Sequence, residues 1–191
     1  PPPGQGFAAL EMLNILEVCV PKLGMNLAQL GPMNPMYWHL MVEAKKLAYS
    51  DLHAYNADPK FSEVPVDELL SKTYAATLCD RIDPQKASTP SVKGGLDGGT
   101  IYLTTADRWG NMVSLIHSVF GVYGSGATVA PYGFVLHNRG TAFSLDPTSP
   151  NVVAPHKRPF HTIIAGFVMK DGQPLMTFGN MGGSVQPETH A

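Results

Sequence analysis

GGTIYLTTADRWGN, residues 98–111, decides how the rest of the chain is read. Two glycines precede Thr100, a β-type run follows from Ile101 to Thr105, and a polar turn, Asp107-Arg108-Trp109-Gly110-Asn111, leads into a second β-type run. The pattern predicts a hairpin with strands Thr100–Ala106 and Met112–Val119. A threonine heading a strand behind Gly98-Gly99 invites one particular chemistry. If the peptide bond before Thr100 is cut, a hydroxyl nucleophile and an α-amine base occupy a single residue. Taken alone, the same residues read first as those of an ordinary strand threonine, because short motifs match by chance.

Downstream the pattern stays strand-like. Gly121–Gly126 (GVYGSG) reads as a flexible loop, Gly133–Asn138 as a strand, and 139–158 as a loop with Pro147, Pro150 and Pro155. His161–Lys170 and Pro174–Phe178 flank Asp171-Gly172, a turn signal that predicts a second hairpin. Asn180-Met181-Gly182-Gly183-Ser184 then leads towards a final helix, just begun at residue 191.

Upstream the pattern is helical. Residues 1–5 read as a rigid, extended approach, and Gly6–Val20 as a helix with Met12, Ile15, Leu16 and Cys19 on one stripe, stopped by Pro21. Residues 21–33 read as linker. Asn34-Pro35 supplies a cap and a first-turn proline for a helix running to about residue 54. Its apolar face carries Tyr37, Leu40, Met41, Ala44, Leu47 and Ala48, with Glu43, Lys45 and Lys46 off that face, as in a core-packing helix rather than a cofactor box. Two short helices are expected near 66–70 and 71–82. Residues 84–99 have no periodicity and finish in glycines, which predicts a mobile linker and the one internal boundary, dividing 1–99 from 100–191. Helices followed by antiparallel strands make an α+β fold.

Bulk properties exclude several function classes. A net charge of −2 from 13 basic and 15 acidic residues leaves no footprint for nucleic acid or an anionic membrane. No apolar run approaches the roughly 20 residues of a membrane span. Cys19 and Cys79 read as small buried hydrophobes; a disulfide between them is possible but unsupported, so the compartment, cytoplasmic or periplasmic/extracellular, stays open. His117, His137, His156, His161 and His190 show no HxH or HxxxH spacing, so no metal or other cofactor is assigned. Asp107 and Asp146 read as turn residues. The absence of an initial methionine and the interrupted final helix lead us to expect sequence beyond both ends.

The residues together resemble the γ-glutamyltransferase family of N-terminal-nucleophile hydrolases, made as self-cleaving precursors. PPPGQG (1–6) is similar to that family's PPxxGG segment, AKKLAYSD (44–51) to its AEKxAYADR helix, and DPKF (58–61) to its DPxF. GGTIYLTTADRWGN resembles the start of the small subunit, and GSG (124–126), HNRGTAFSLDP (137–147), HKRPFHT (156–162) and MGGSVQP (181–187) continue that pattern in register. The resemblance implies part of an αββα sandwich, with residues 1–99 ending the large subunit and 100–191 beginning the small one. It implies cleavage between Gly99 and Thr100, with Thr100 as nucleophile, Gly182 and Gly183 as oxyanion-hole glycines and Ser118 as a hydroxyl beside the nucleophile. Glycine before Thr100 is expected because the bond must tolerate a strained conformation. Ser118 is equally read as a structural serine, and Asn138, beside the implied substrate loop, as a structural amide.

The departures from the family pattern bear on the substrate. Ala142 stands where members carry an acidic residue for the substrate's α-amino group, Arg139 where they carry glutamine or glutamate, and Phe120 where they carry asparagine. His161 and Thr162 replace the paired serines that hold the α-carboxylate. A cation at residue 139 would repel an α-amino group. The pattern looks closer to the cephalosporin-acylase-type branch, in which Arg139 would bind an acyl carboxylate without an amino neighbour, as in a glutaryl amide; the alternative is a surface loop arginine. The expected partners are a small γ-glutamyl or glutaryl amide and the remainder of the same precursor. An inactive fragment, or a binding or structural domain of such a precursor, stays open beside the enzyme.

Overall fold

The computed structural model describes residues 2–89 and 99–191; most of the expected linker at 84–99, Gly98 included, lies outside the described residues. The order of elements is α1 (Gly6–Lys22), α2 (Leu27–Leu30), α3 (Pro35–Tyr55), α4 (Val66–Leu69), α5 (Lys72–Cys79), β1 (Gly99–Ala106), β2 (Met112–Phe120), β3 (Thr128–Val129), β4 (Phe134–Val135), β5 (Ala165–Lys170), β6 (Gln173–Gly179) and α6 (Gln186–His190). This is the expected α+β order, helices first and antiparallel hairpins after. No helix among the described residues is long and apolar enough to cross a membrane.

The helical stripe of α1 packs on α3 and α5. Among the described residues, every buried hydrophobic side chain of the core other than proline lies between Phe7 and Ile82. Met12, Ile15 and Leu40, almost wholly removed from water, each contribute about 1.5–3 kcal/mol. Asn34 caps α3, its side chain accepting from Met36 N at 2.9 Å, with Pro35 in the first turn. Four expectations need correction here. Helix α1 runs through Pro21 to Lys22: the proline gives up its own N–H bond and crowds one carbonyl of the turn before it, with a single helical residue left beyond. The expected linker 21–33 holds α2, capped by Asn26 through Gln29 N. Glu43, expected off the apolar face, is buried, where it accepts from Lys46 Nζ at 2.6 Å and from Ser88 N at 3.2 Å. Cys19 and Cys79 form a disulfide joining α1 to α5 across 60 residues, a closure of a length that stabilises by about 4 kcal/mol in the chain-entropy account.

Glu11 of α1 is fully buried with neither carboxyl oxygen partnered. Asp51 of α3, beside it, accepts a hydrogen bond from Tyr74 Oη at 2.8 Å. Burial first, and then the Asp51 carboxyl, push Glu11 from 4.5 to about 10. A raised acid pKa means that between these values the native state holds a proton that the unfolded chain has released. Stability therefore falls as pH rises from 4.5 to about 10, by up to about 1.4 kcal/mol per pH unit, with no such loss below that window. Glu11→Gln, neutral at every pH, is expected to remove this slope. Urea midpoints at pH 6 and pH 9 check it: if the variant loses as much stability as wild type between them, the assignment is wrong.

The β-half is two long hairpins with a short β3–β4 pair between them in sequence. β1 pairs with β2 as the expected hairpin, Thr100 opposite Ser118 and Ala106 opposite Met112; β5 pairs with β6. They pack on each other through Tyr102, whose ring lies against Gly179, and through Ser114 Oγ, which donates to the Phe178 carbonyl at 3.4 Å. The expected strand Gly133–Asn138 shortens to Phe134–Val135, paired with Thr128–Val129, and β5 begins at Ala165 rather than His161. Residues 139–142 form a one-turn 3-10 helix within the expected loop. The first residues are not a simple extended approach: the Pro3 carbonyl accepts from His161 N at 2.9 Å and from Asn56 Nδ2 at 3.1 Å.

The two halves are tied at several points. Buried Asp58 accepts from Arg158 Nη2 at 2.8 Å, from its Nε at 3.2 Å and from its backbone N at 2.9 Å. These Arg158 bonds hold the Asp58 carboxyl well below the usual carboxylate range. Tyr49 Oη donates to the Ser184 carbonyl at 2.5 Å, and Lys45 pairs with Glu188.

Candidate active site

The Asp107–Asn111 turn sets the geometry at Thr100. Asp107 Oδ1 accepts from Trp109 N at 2.9 Å and Asn111 N at 3.0 Å, so the carboxylate is consumed as a turn residue. With that turn closed, period-two alternation brings Thr100 and Ser118 face to face, their hydroxyl oxygens 3.0 Å apart. Ser118 Oγ also donates to the Gly99 carbonyl at 3.3 Å and accepts from Phe120 N at 3.1 Å. One hydroxyl therefore touches both the threonine oxygen and the carbonyl of the bond before it. The ladder slips by a residue between Gly99 and Thr100.

Gly99 lies tight against a neighbouring backbone: a Cβ there would come within 3.2 Å of Val122 Cα and 3.3 Å of the Gly121 carbonyl oxygen, so that loop would have to give way to it. The Gly121–Val122 backbone is in turn held by Asn138, whose Oδ1 accepts from Gly121 N at 2.8 Å. Asn138 thus acts as a structural amide behind the Gly99–Thr100 bond.

Arg139 is only 2% exposed, not a surface loop arginine. Its Nη1 donates to Thr162 Oγ1 at 3.1 Å, its guanidinium carbon lies 5.2 Å from the Phe120 ring centre, and its Nη2 is buried without a partner. Phe120 holds this position in a left-handed conformation, φ +73°, strained for a bulky residue. Burial pulls the Arg139 pKa down, yet a guanidinium stays charged. His161 hydrogen-bonds the Pro159 carbonyl through Nδ1 at 2.7 Å. Burial lowers its pKa, the Pro159 bond opposes this, and the Arg139 charge lowers it further, which favours neutral imidazole.

Gly182 (φ +136°) and Gly183 (φ +56°) make the turn into α6, in backbone conformations that disfavour side chains. The Gly183 carbonyl accepts from Gln5 Nε2 at 2.7 Å, and the same nitrogen donates to the Thr162 carbonyl at 2.7 Å. Contacts thus run without a break from Thr100 through Ser118, Phe120, Arg139, Thr162 and Gln5 to Gly183. Ala142 is not part of this chain of contacts. It lines a cavity of about 400 Å³ with Leu52, His53, Phe143 and Phe160, a wall that includes none of Thr100, Ser118 or Arg139. Sequence reasoning missed Gln5 and Tyr49: a lone polar residue among prolines and glycines, or on a helix, carries no periodic signal. Among the described residues no group of three or more His, Cys, Asp or Glu could hold a metal ion.

The family model described as gamma-glutamyltranspeptidase matches residues 1–191. The glutathione hydrolase-like YwrD proenzyme of Bacillus subtilis is 38% identical over 189 residues, covering 99% of this chain and 34% of the relative. The oxamate amidohydrolase proenzyme of Klebsiella pneumoniae is 37% identical over 191 residues, covering 100% and 34%. A cephalosporin acylase from Bacillus halodurans superposes with a TM-score of 0.79 at 40% identity, over 100% of this chain and 33% of that one. The chain spans about a third of the length of these relatives. With the family model matched from end to end and the fold of a cephalosporin acylase shared over its full length, the chain belongs to the gamma-glutamyltranspeptidase family.

Proposed function

We propose that this chain is the region of a precursor that cuts itself between Gly99 and Thr100, and that Thr100 then hydrolyses or transfers the acyl group of a small amide. Residues 1–99 end the upstream subunit, 100–191 begin the downstream one, and the partner of both is the remainder of the precursor. The observation that carries the reading is the Ser118 hydroxyl, in hydrogen-bond reach of both Thr100 Oγ1 and the Gly99 carbonyl, at a glycine pressed closely by the Gly121–Val122 backbone.

In the first step Thr100 Oγ1 attacks the Gly99 carbonyl carbon. The C–N bond breaks, leaving an ester on the threonine oxygen and a free α-amine; water then hydrolyses the ester to the Gly99 carboxylate and restores the hydroxyl. In turnover the α-amine takes the hydroxyl proton as Oγ1 attacks the substrate amide, and the leaving amine departs with that proton. Backbone N–H groups of Gly182 and Gly183 are assigned to the oxyanion. Water or a second amine releases the acyl group.

For the acyl group we favour one that carries a carboxylate and no α-amino group. Arg139 supports this: its buried Nη2 has no partner beside Phe120 and Thr162, a charge-assisted donor suited to a carboxylate. Oxamate, named for one relative, is an amide of this kind. Turnover of glutaryl p-nitroanilide against γ-glutamyl p-nitroanilide by the full-length protein tests it. We expect kcat/KM at least about tenfold higher for the glutaryl compound, the scale on which one unfavourable charge placement discriminates; a γ-glutamyl preference overturns the assignment.

A further inference from the structure

The side chain of Gln5 is fully buried, and its amide nitrogen donates to two carbonyls, Thr162 and Gly183, each at 2.7 Å. A primary amide has two N–H donors, and both are used. No shorter, apolar or anionic side chain could make this pair of bonds. Each acceptor belongs to a different part of the proposed chemistry. Thr162 is the residue whose hydroxyl accepts from Arg139, and Gly183 is one of the two glycines assigned to the oxyanion. Tyr49 steadies the same turn one residue on, through the Ser184 carbonyl. Gln5 also stands on the opposite side of the Gly99–Thr100 bond from both acceptors.

We propose that Gln5 is a positioning residue: it holds the Gly182–Gly183 turn at a set distance from the Arg139–Thr162 pair, so that an acyl carboxylate and the developing oxyanion are gripped at once. This rests on the functional reading above. An oxyanion donor works only where it meets the charge as it forms, and displacements of about an ångström cost up to about a hundredfold in rate. Removing the amide strips the Thr162 carbonyl of its donor and leaves the Gly183 carbonyl only the Gln186 N–H, so nothing ties the turn to Thr162 and it shifts.

The test uses the full-length protein, with kcat referred to the number of Thr100 sites that give an acylation burst, so that misfolded protein does not count. Gln5→Met, similar in volume but without donors, is expected to lower kcat per site about tenfold or more while KM changes less. An unchanged kcat per site overturns the proposal even if thermal stability falls. If Gln5→Met does not fold, Gln5→Glu decides. Its carboxylate cannot donate, but its protonated form can, so the ratio of variant to wild-type kcat is expected to rise as pH falls; a flat ratio overturns the proposal. A wild type without Thr100-dependent turnover overturns the functional reading, and this inference with it, before any Gln5 variant is made.

Discussion

The Thr100→Ala variant of the full-length protein is expected to stay one uncut chain and to lose amide turnover by about 10⁴-fold or more, the scale of nucleophile removal in covalent catalysis. The effect is large because one residue carries both roles: its oxygen opens the Gly99–Thr100 bond, and its freed nitrogen is then the base. Thr100 is half-buried in β1 with its hydroxyl 3.0 Å from Ser118 Oγ, so losing the hydroxyl and one methyl leaves the hairpin's backbone paired and the protein folded. Intact mass after purification reads the first consequence and a chromogenic amide the second. A wild type that splits between Gly99 and Thr100 beside an intact variant establishes self-processing. Equal splitting of both would mean that something else cuts the bond, and the mechanism above would fail. If neither splits, the reading of this chain as a binding or structural domain of its precursor gains ground.

The second large effect is expected at Arg139. Replacing it by leucine should reduce kcat/KM for a glutaryl amide by about 10²–10³-fold, within the roughly 2–5 kcal/mol lost when one partner of a buried charge pair is truncated. Most of the change should fall on KM, because the carboxylate lies away from the reacting carbonyl and is gripped in ground and transition states alike. Turnover of an uncharged acyl amide should change much less, and the ratio of the two substrates is the quantity to measure. Arg139→Lys should rescue little. The Phe120 ring under the guanidinium and the single bond to Thr162 Oγ1 suit a planar fork, and an ammonium would be harder to desolvate there. An equal loss on charged and uncharged substrates would show that Arg139 only supports the loop.

Much of this was legible in the residues. The hairpin that presents Thr100 follows from β-type runs on either side of an Asp-to-Asn turn, and local turn chemistry then fixes its register. The α3 cap at Asn34 was equally local. What escaped depends on residues far apart in sequence. Cys19 and Cys79 meet only because α1 packs on α5. The burial of Glu43 and Arg139 is set by what folds over them, and no pattern within their own elements announces it. Gly99 was expected for conformational freedom; the structure gives it another reason, the backbone of a loop more than twenty residues on pressed against it. The identity of that glycine could be read from the chain, but this contact could not.

The ties between the two halves have a further consequence. While the Gly99–Thr100 bond is intact, Asp58 with Arg158, Gln5 with Gly183, and Tyr49 with Ser184 close contacts within one tethered molecule. Scission at that bond would make the same contacts an interface between two chains, and unfolding would change from a unimolecular event into a dissociation governed by mass action. Maturation would thus leave the architecture in place and alter its thermodynamic order: the precursor would melt at a temperature indifferent to dilution, the mature pair at one that drops as the solution thins.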